Sequence, residues 1–130
     1  MRTRLALAAA LLMLAAGCAA PAGSNGPATI PSATESATIA INLMDFMIDP
    51  SDIEVAGPTA TIEVTSEGPT PHNLTIRDAS DEVVAGTADL STGDTETITA
   101  ELEPGEYTIF CALAGHESLG MSGTLTVTAP

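Results

Sequence analysis

An all-β, two-sheet β-sandwich of seven or eight strands is the fold this sequence predicts, and three observations predict it. From Ala37 onward, apolar residues recur at every second position in short runs, the period of a half-buried strand. Glycine and proline clusters punctuate those runs. No stretch carries a convincing amphipathic helical period; residues 86–93 have room for a helical turn, but Gly86 and Gly93 weaken it. About ninety residues of this kind enclose one small core. With no tryptophan in the chain, Ile, Leu, Val and Met must fill it.

The strands follow in order. Ile39, Ile41 and Leu43 share one face, with Thr38, Ala40 and Asn42 opposite. Asp49-Pro50-Ser51-Asp52 breaks the chain before Ile53 and Val55, and Gly57-Pro58 turns it into the alternating Ala60, Ile62 and Val64. Glu67-Gly68-Pro69-Thr70-Pro71 reads as a loop, after which His72 opens a strand with Leu74 and Ile76. Asp78–Glu82 is a turn before Val83 and Val84. Ile98, Ala100 and Leu102 mark a further strand, and Glu103-Pro104-Gly105 turns into the face of Tyr107, Ile109 and Cys111. Gly123, Leu125 and Val127 close the chain.

Ahead of this domain, assigned to residues 37–130, lie two other segments. Arg2 and Arg4 precede an apolar run, Leu5 to Ala16, which is shorter than the roughly 20 residues a membrane span needs. A basic start, an apolar stretch and then small residues form a signal-peptide layout, assigned to residues 1–17. Leu14-Ala15-Ala16-Gly17-Cys18 resembles a lipobox, although Ala15 stands where that motif usually has leucine. The resemblance implies lipidation at Cys18, an extracytoplasmic location and a lipid anchor in the cell membrane. Residues 18–36, rich in Ala, Pro, Gly, Ser and Thr, read as a flexible tether with a reach of about 20–25 Å.

Charge narrows the partners. Loss of residues 1–17 removes Arg2 and Arg4, takes the formal charge from −14 to −16 and leaves Arg77 as the sole basic side chain. Such a surface repels nucleic acid and anionic lipid head groups, and it either attracts proteins with a basic face or serves only to keep the domain soluble. Arg77 is expected to pair with a nearby acid.

With Cys18 lipidated, Cys111 has no disulfide partner, and a lone thiol in an exported chain calls for another explanation. His116 follows after four intervening residues and Met121 after four more. A thiolate, an imidazole and a thioether on one loop make a soft S/N ligand set that suits copper. The chain has only two histidines, so His72 is the one imidazole available to complete a mononuclear site. Met44 and Met47 are read as gap-filling apolar residues, and Phe110 as an ordinary strand residue facing away from Cys111.

Pro71-His72-Asn73-Leu74, Pro104-Gly105-Glu106-Tyr107-Thr108-Ile109-Phe110-Cys111, Gly115-His116 and Gly120-Met121 together resemble the cupredoxin family of blue copper proteins, the plastocyanin and azurin group. The resemblance covers Ile39 to Val127 and includes Asp45-Phe46-Met47-Ile48-Asp49-Pro50. In overall plan it is similar to lipid-anchored halocyanins, and in ligand-loop spacing to rusticyanin and sulfocyanin. It implies a Greek-key sandwich holding one type 1 copper ion, with His72, Cys111 and His116 as equatorial ligands and Met121 as the axial one. It implies that Asn73 hydrogen-bonds across to the cysteine loop; Ala112 stands where the usual Ser or Thr partner would be, so that side-chain link is expected to be missing. Ala114 likewise stands where many members have proline.

Leu113, Ala114, Leu119 and Gly120 surround His116 and are expected to form an apolar docking patch. The role implied is an electron carrier and no enzyme, a monomer exchanging electrons with a cytochrome, oxidase or reductase. Four protein ligands leave no open position for a substrate. A copper-binding or delivery protein with no electron-relay role is the alternative reading.

Overall fold

The computed structural model describes residues 38–130. The signal peptide, the tether and the lipidation expected at Cys18 fall outside the described residues. Within them the chain forms nine strands: β1 (Thr38–Met44), β2 (Met47–Asp49), β3 (Asp52–Ala56), β4 (Thr59–Ser66), β5 (Thr75–Arg77), β6 (Val83–Gly86), β7 (Thr95–Glu101), β8 (Gly105–Phe110) and β9 (Ser122–Thr128). Beyond the seven or eight expected there is β2, a three-residue strand that returns along β1 after a two-residue tip, Asp45-Phe46. Among the described residues the only helical element is a 3-10 turn, Glu117–Leu119; residues 86–93 form none.

The strands make two sheets, ordered β2-β1-β4-β7 and β3-β9-β8-β5-β6. Two pairings, β1 with β4 and β3 with β9, are parallel, and the rest are antiparallel. Parallel neighbours need a crossover, and here the connections that follow β2, β3, β4, β6 and β7 each pass from one sheet to the other. The alternation read from the sequence is the inward face: Ile41 and Leu43, Ile62 and Val64, Ile76, Ile109 and Leu125 are inaccessible to solvent. Burying an Ile, Leu or Val side chain contributes about 1.5–3 kcal/mol, so this face is the main source of stability. Met47 is 49% exposed and fills no gap, contrary to the expectation; strand alternation turns its neighbour Ile48 inward and leaves Met47 on the outer face.

His72 does not open β5. It makes an isolated bridge with Leu90, and the ladder starts only at Thr75. The cause is local. The backbone of His72 pairs with Leu90 in both directions, while Leu74 receives its partners from Thr87, so residues 72–74 bond to the 87–90 segment instead of to β8. Likewise β8 ends at Phe110, which puts Cys111 just beyond the strand and at the start of a loop. That loop, residues 111–121, joins β8 to its antiparallel partner β9 and is therefore a long hairpin loop at one pole of the sandwich.

Gly123 shows how closely the sheet edges approach. A Cβ there would collide with the carbonyl oxygen of Ser51, at the point where Thr124 N–H donates to that same oxygen (2.7 Å). Gly123→Ala is therefore expected to force β3 and β9 apart and to cost about 1–3 kcal/mol, measured by chemical denaturation of the metal-free chain.

Candidate metal centre

Cys111 is fully buried, and its N–H donates to the Met121 carbonyl (3.1 Å), which closes the loop at its base. Within the loop, Gly115 takes a φ of 85°, His116 N–H returns to Leu113 O (3.1 Å), and the 3-10 turn ends at Gly120 with φ 104°. These left-handed positions suit glycine, which has no Cβ to clash. Met121 N–H then donates to His116 O (3.1 Å), and Met121 is itself fully buried. The cysteine, histidine and methionine that the sequence brings within eleven residues are thus tied to one another through their backbones.

His72 arrives from the other side. Its side chain has no solvent exposure, and its ring centroid lies 5.2 Å from that of His116. Cys111 Sγ sits 3.5 Å from His116 Nδ1. Taking one donor atom from each of His72, Cys111 and His116, all lie within 4.8 Å of one another. His72 Nδ1 is buried and has no hydrogen-bond partner. An orphaned imidazole nitrogen beside a thiol and a second imidazole is what a metal centre needs and what a plain core avoids. The donor set, two nitrogens and a sulfur with a thioether at hand, fits one copper ion of type 1.

What holds His72 is a residue that sequence reasoning missed. Asp45, at the tip between β1 and β2, places Oδ1 3.0 Å from His72 Nε2. The same oxygen accepts from Thr70 Oγ1 (2.7 Å). The Thr70 hydroxyl first, and His72 to a lesser extent, hold the Asp45 carboxyl below the usual carboxylate range, against a partial burial that pushes it up. Beside it, Phe46 sets its ring edge-on to His116 at 5.3 Å, and its backbone lies at φ 62°, an unusual value for a bulky residue. One hairpin tip therefore touches both histidines. Its residues stand in the stretch quoted for the family resemblance, but nothing in the linear order shows that they reach the site.

Asn73 does reach the cysteine loop. Its Oδ1 accepts from the backbone N–H of Ala112 (2.8 Å), and its Nδ2 donates to Asp89 (2.8 Å). The side-chain link to residue 112 is missing, as expected with Ala112, yet the crossing bond persists because it uses the main chain, which any residue but proline supplies at 112. Arg77 pairs as expected, through a two-pronged contact with Glu117 (3.2 and 2.5 Å) and a longer one to Asp81 (3.4 Å). Glu117 raises its pKa further, so the guanidinium stays charged. It also lies over the ring of Phe110, 4.3 Å from its centroid, and Phe110 is buried beneath it. Arg77 thus fastens the residues before Cys111 and after His116 to β5.

Of the expected patch, Leu119 is 62% exposed and Ala114 and Gly120 are exposed, whereas Leu113 is half-buried against the core. Phe46, 41% exposed, joins them beside His116. Replacing Asn73 with alanine should leave Ala112 N–H without a partner, lowering the stability of the metal-free chain by about 1–3 kcal/mol and speeding amide exchange at Ala112.

Comparison with known proteins agrees with this geometry. Residues 5–127 match the family described as the cupredoxin-like domain. Among solved structures, the dithionite-reduced auracyanin of the photosynthetic bacterium Roseiflexus castenholzii superposes with a TM-score of 0.64 at 24% identity, covering 70% of this chain and 96% of that one. Auracyanin B gives the same TM-score at 19% identity, covering 70% and 88%. No curated protein matches the sequence. The two-sheet sandwich, with a thiol and two imidazoles gathered at one pole, belongs to the cupredoxin-like domain family.

Proposed function

We propose that this chain is a type 1 copper electron-transfer protein, with His72, Cys111 and His116 as the strong ligands and Met121 as the weak axial one. The observation that carries the reading is the cluster of the buried Cys111 thiol, the buried His72 imidazole with an unpartnered Nδ1, and the partly exposed His116 imidazole. Copper, when bound, supplies one-electron exchange between Cu(II) and Cu(I). The chain supplies a dry, restrained cage. His72, Cys111 and Met121 are closed to solvent, while the partly exposed His116 lies beside Phe46 and offers an edge toward a partner.

The same arrangement supports a carrier over an enzyme. Three buried side chains and one near the surface surround the site, and four protein ligands leave no position for a substrate. The buried thiol also disfavours a copper-delivery role, which needs ligands that a recipient can reach. The proposed partners are redox proteins with basic faces, such as a cytochrome, an oxidase or a reductase, met outside the cytoplasm by a monomer anchored to the cell membrane through lipid on Cys18. Mass spectrometry of the membrane fraction tests the anchor, and an unlipidated N-terminus beyond Cys18 would overturn it.

Adding Cu(II) to the metal-free chain should produce an intense blue or green colour, bleached by mild reductant. A colourless one-to-one complex would end the electron-carrier reading. Cys111→Ser should abolish the colour. Met121→Leu should keep it and shift the reduction potential upward, because the oxidised ion loses a donor that the reduced ion needs less. For the docking patch, Leu119→Glu should slow electron exchange with a basic cytochrome by about tenfold, the effect of losing roughly 1.4 kcal/mol at a contact centre, with the visible spectrum unchanged.

A further inference from the structure

We propose that Asp45 is a positioning residue of the metal centre, one that fixes His72 as its Nε2–H tautomer and biases the site toward Cu(II). The proposal rests on the copper reading above, but its first half stands on the metal-free geometry alone. His72 has two ring nitrogens in different situations: Nε2 is 3.0 Å from Asp45 Oδ1, and Nδ1 is buried with no partner. A carboxylate only accepts hydrogen bonds, so in the neutral ring Nε2 carries the proton and Nδ1, which has no acceptor to take a proton of its own, keeps its lone pair. The tautomer that binds metal through Nδ1 is thereby set before any metal arrives. A carboxylate behind a ligating imidazole also makes it a stronger donor, which favours the more highly charged ion.

The surroundings of this pair are shaped to fit it. A Cβ on Gly68 would lie 2.6 Å from His72 Nε2 and 2.8 Å from Asp45 Oδ1, so any side chain at 68 would displace the contact. Thr70 Oγ1–H holds the carboxylate in place from the flank. Asp45 is itself two-thirds shielded, with 33% of its side chain accessible, so its charge is only partly screened by water. Phe46 completes the tip. A bulky residue in the left-handed region is strained by about 1–2 kcal/mol, and its ring packs on His116 at 5.3 Å, which holds the tip over the site.

Three variants of the full chain test this. Asp45→Asn keeps an acceptor oxygen for Nε2–H and removes the charge. It should retain the blue band while the ratio of Cu(II) to Cu(I) affinity falls about tenfold, a rise of about 59 mV in reduction potential. Asp45→Ala and Gly68→Ala both break the contact and should weaken Cu(II) and Zn(II) binding by about 10–100-fold. Nitrogen-15 NMR of the metal-free wild type should show His72 protonated at Nε2 alone, and Asp45→Ala should lose that preference. If Asp45 merely caps a turn, Asp45→Asn will leave the potential unchanged, and that result overturns the proposal, as does an Nδ1–H tautomer in the wild type. A wild type that binds Cu(II) without colour instead sinks the copper reading, and the NMR result then decides the tautomer by itself. Thermal melts of the metal-free variants separate loss of fold from loss of ligand positioning.

Discussion

A fully buried histidine with one ring nitrogen unpartnered is costly, and the pole of this sandwich is arranged around that cost. An unsatisfied buried polar atom disfavours folding by about 1–3 kcal/mol. Everything else on His72 is satisfied: its backbone pairs with Leu90 in both directions, and Nε2 faces Asp45. The deficit is confined to Nδ1, within a cluster that also holds Cys111 Sγ and His116 Nδ1. A bound metal ion removes the deficit, so metal binding and stability are linked, and the loaded chain gains whatever free energy the ion contributes to the folded state alone.

A second requirement follows from the chemistry. Cu(II) and Cu(I) prefer different geometries, and a site that exchanges electrons rapidly must not rearrange between them. The loop from Cys111 to Met121 would be loose if held only at its ends. It is closed at its base and restrained at two further points, each by a different part of the chain. Cys111 N–H to Met121 O closes the base, Asn73 grips Ala112 from the segment before β5, and Arg77 grips Glu117 from β5 itself. The parallel pairing of β1 with β4 then carries the Asp45-Phe46 tip to the same pole as the loop after β4, where Gly68, Thr70 and His72 lie.

The fold and the pairing of Cys111 with His116 were legible because both follow from local patterns. Alternating Ile and Val at every second position marks a strand in any context, and a Cys–His–Met loop contains its own geometry. The second histidine was reached by elimination, since there are only two. Asp45 was not legible because its role depends on the β1–β2 hairpin and on a parallel strand pairing, neither of which leaves a periodic trace. Ala112 misled for a different reason. Reading a side-chain type as the partner of Asn73 overlooked that every residue but proline offers a main-chain N–H. His72 as the start of a strand failed because its backbone bonds to Leu90 and Leu74 bonds to Thr87, so the ladder begins only at Thr75.

The distribution of charge divides recognition from contact. Arg77 is the only basic side chain among the described residues, and Glu117 and Asp81 already engage it. The remaining acids have no basic side chain to compensate them, and in the proposed role their summed field would act on an approaching redox protein at distances where single contacts do not. At physiological salt that field fades over about 8 Å, so it guides encounter but contributes little once surfaces meet. For the proposed contact, Phe46, whose ring packs on His116, and the exposed Ala114, Leu119 and Gly120 of the same loop offer uncharged surface. In that proposed docking, apolar contact would shed water without leaving an unpaired charge buried, beside His116, the one candidate ligand that solvent can reach. The same screening distinguishes Asp45 from the other carboxylates: in direct contact with His72, it acts on the site at a range that salt does not shorten.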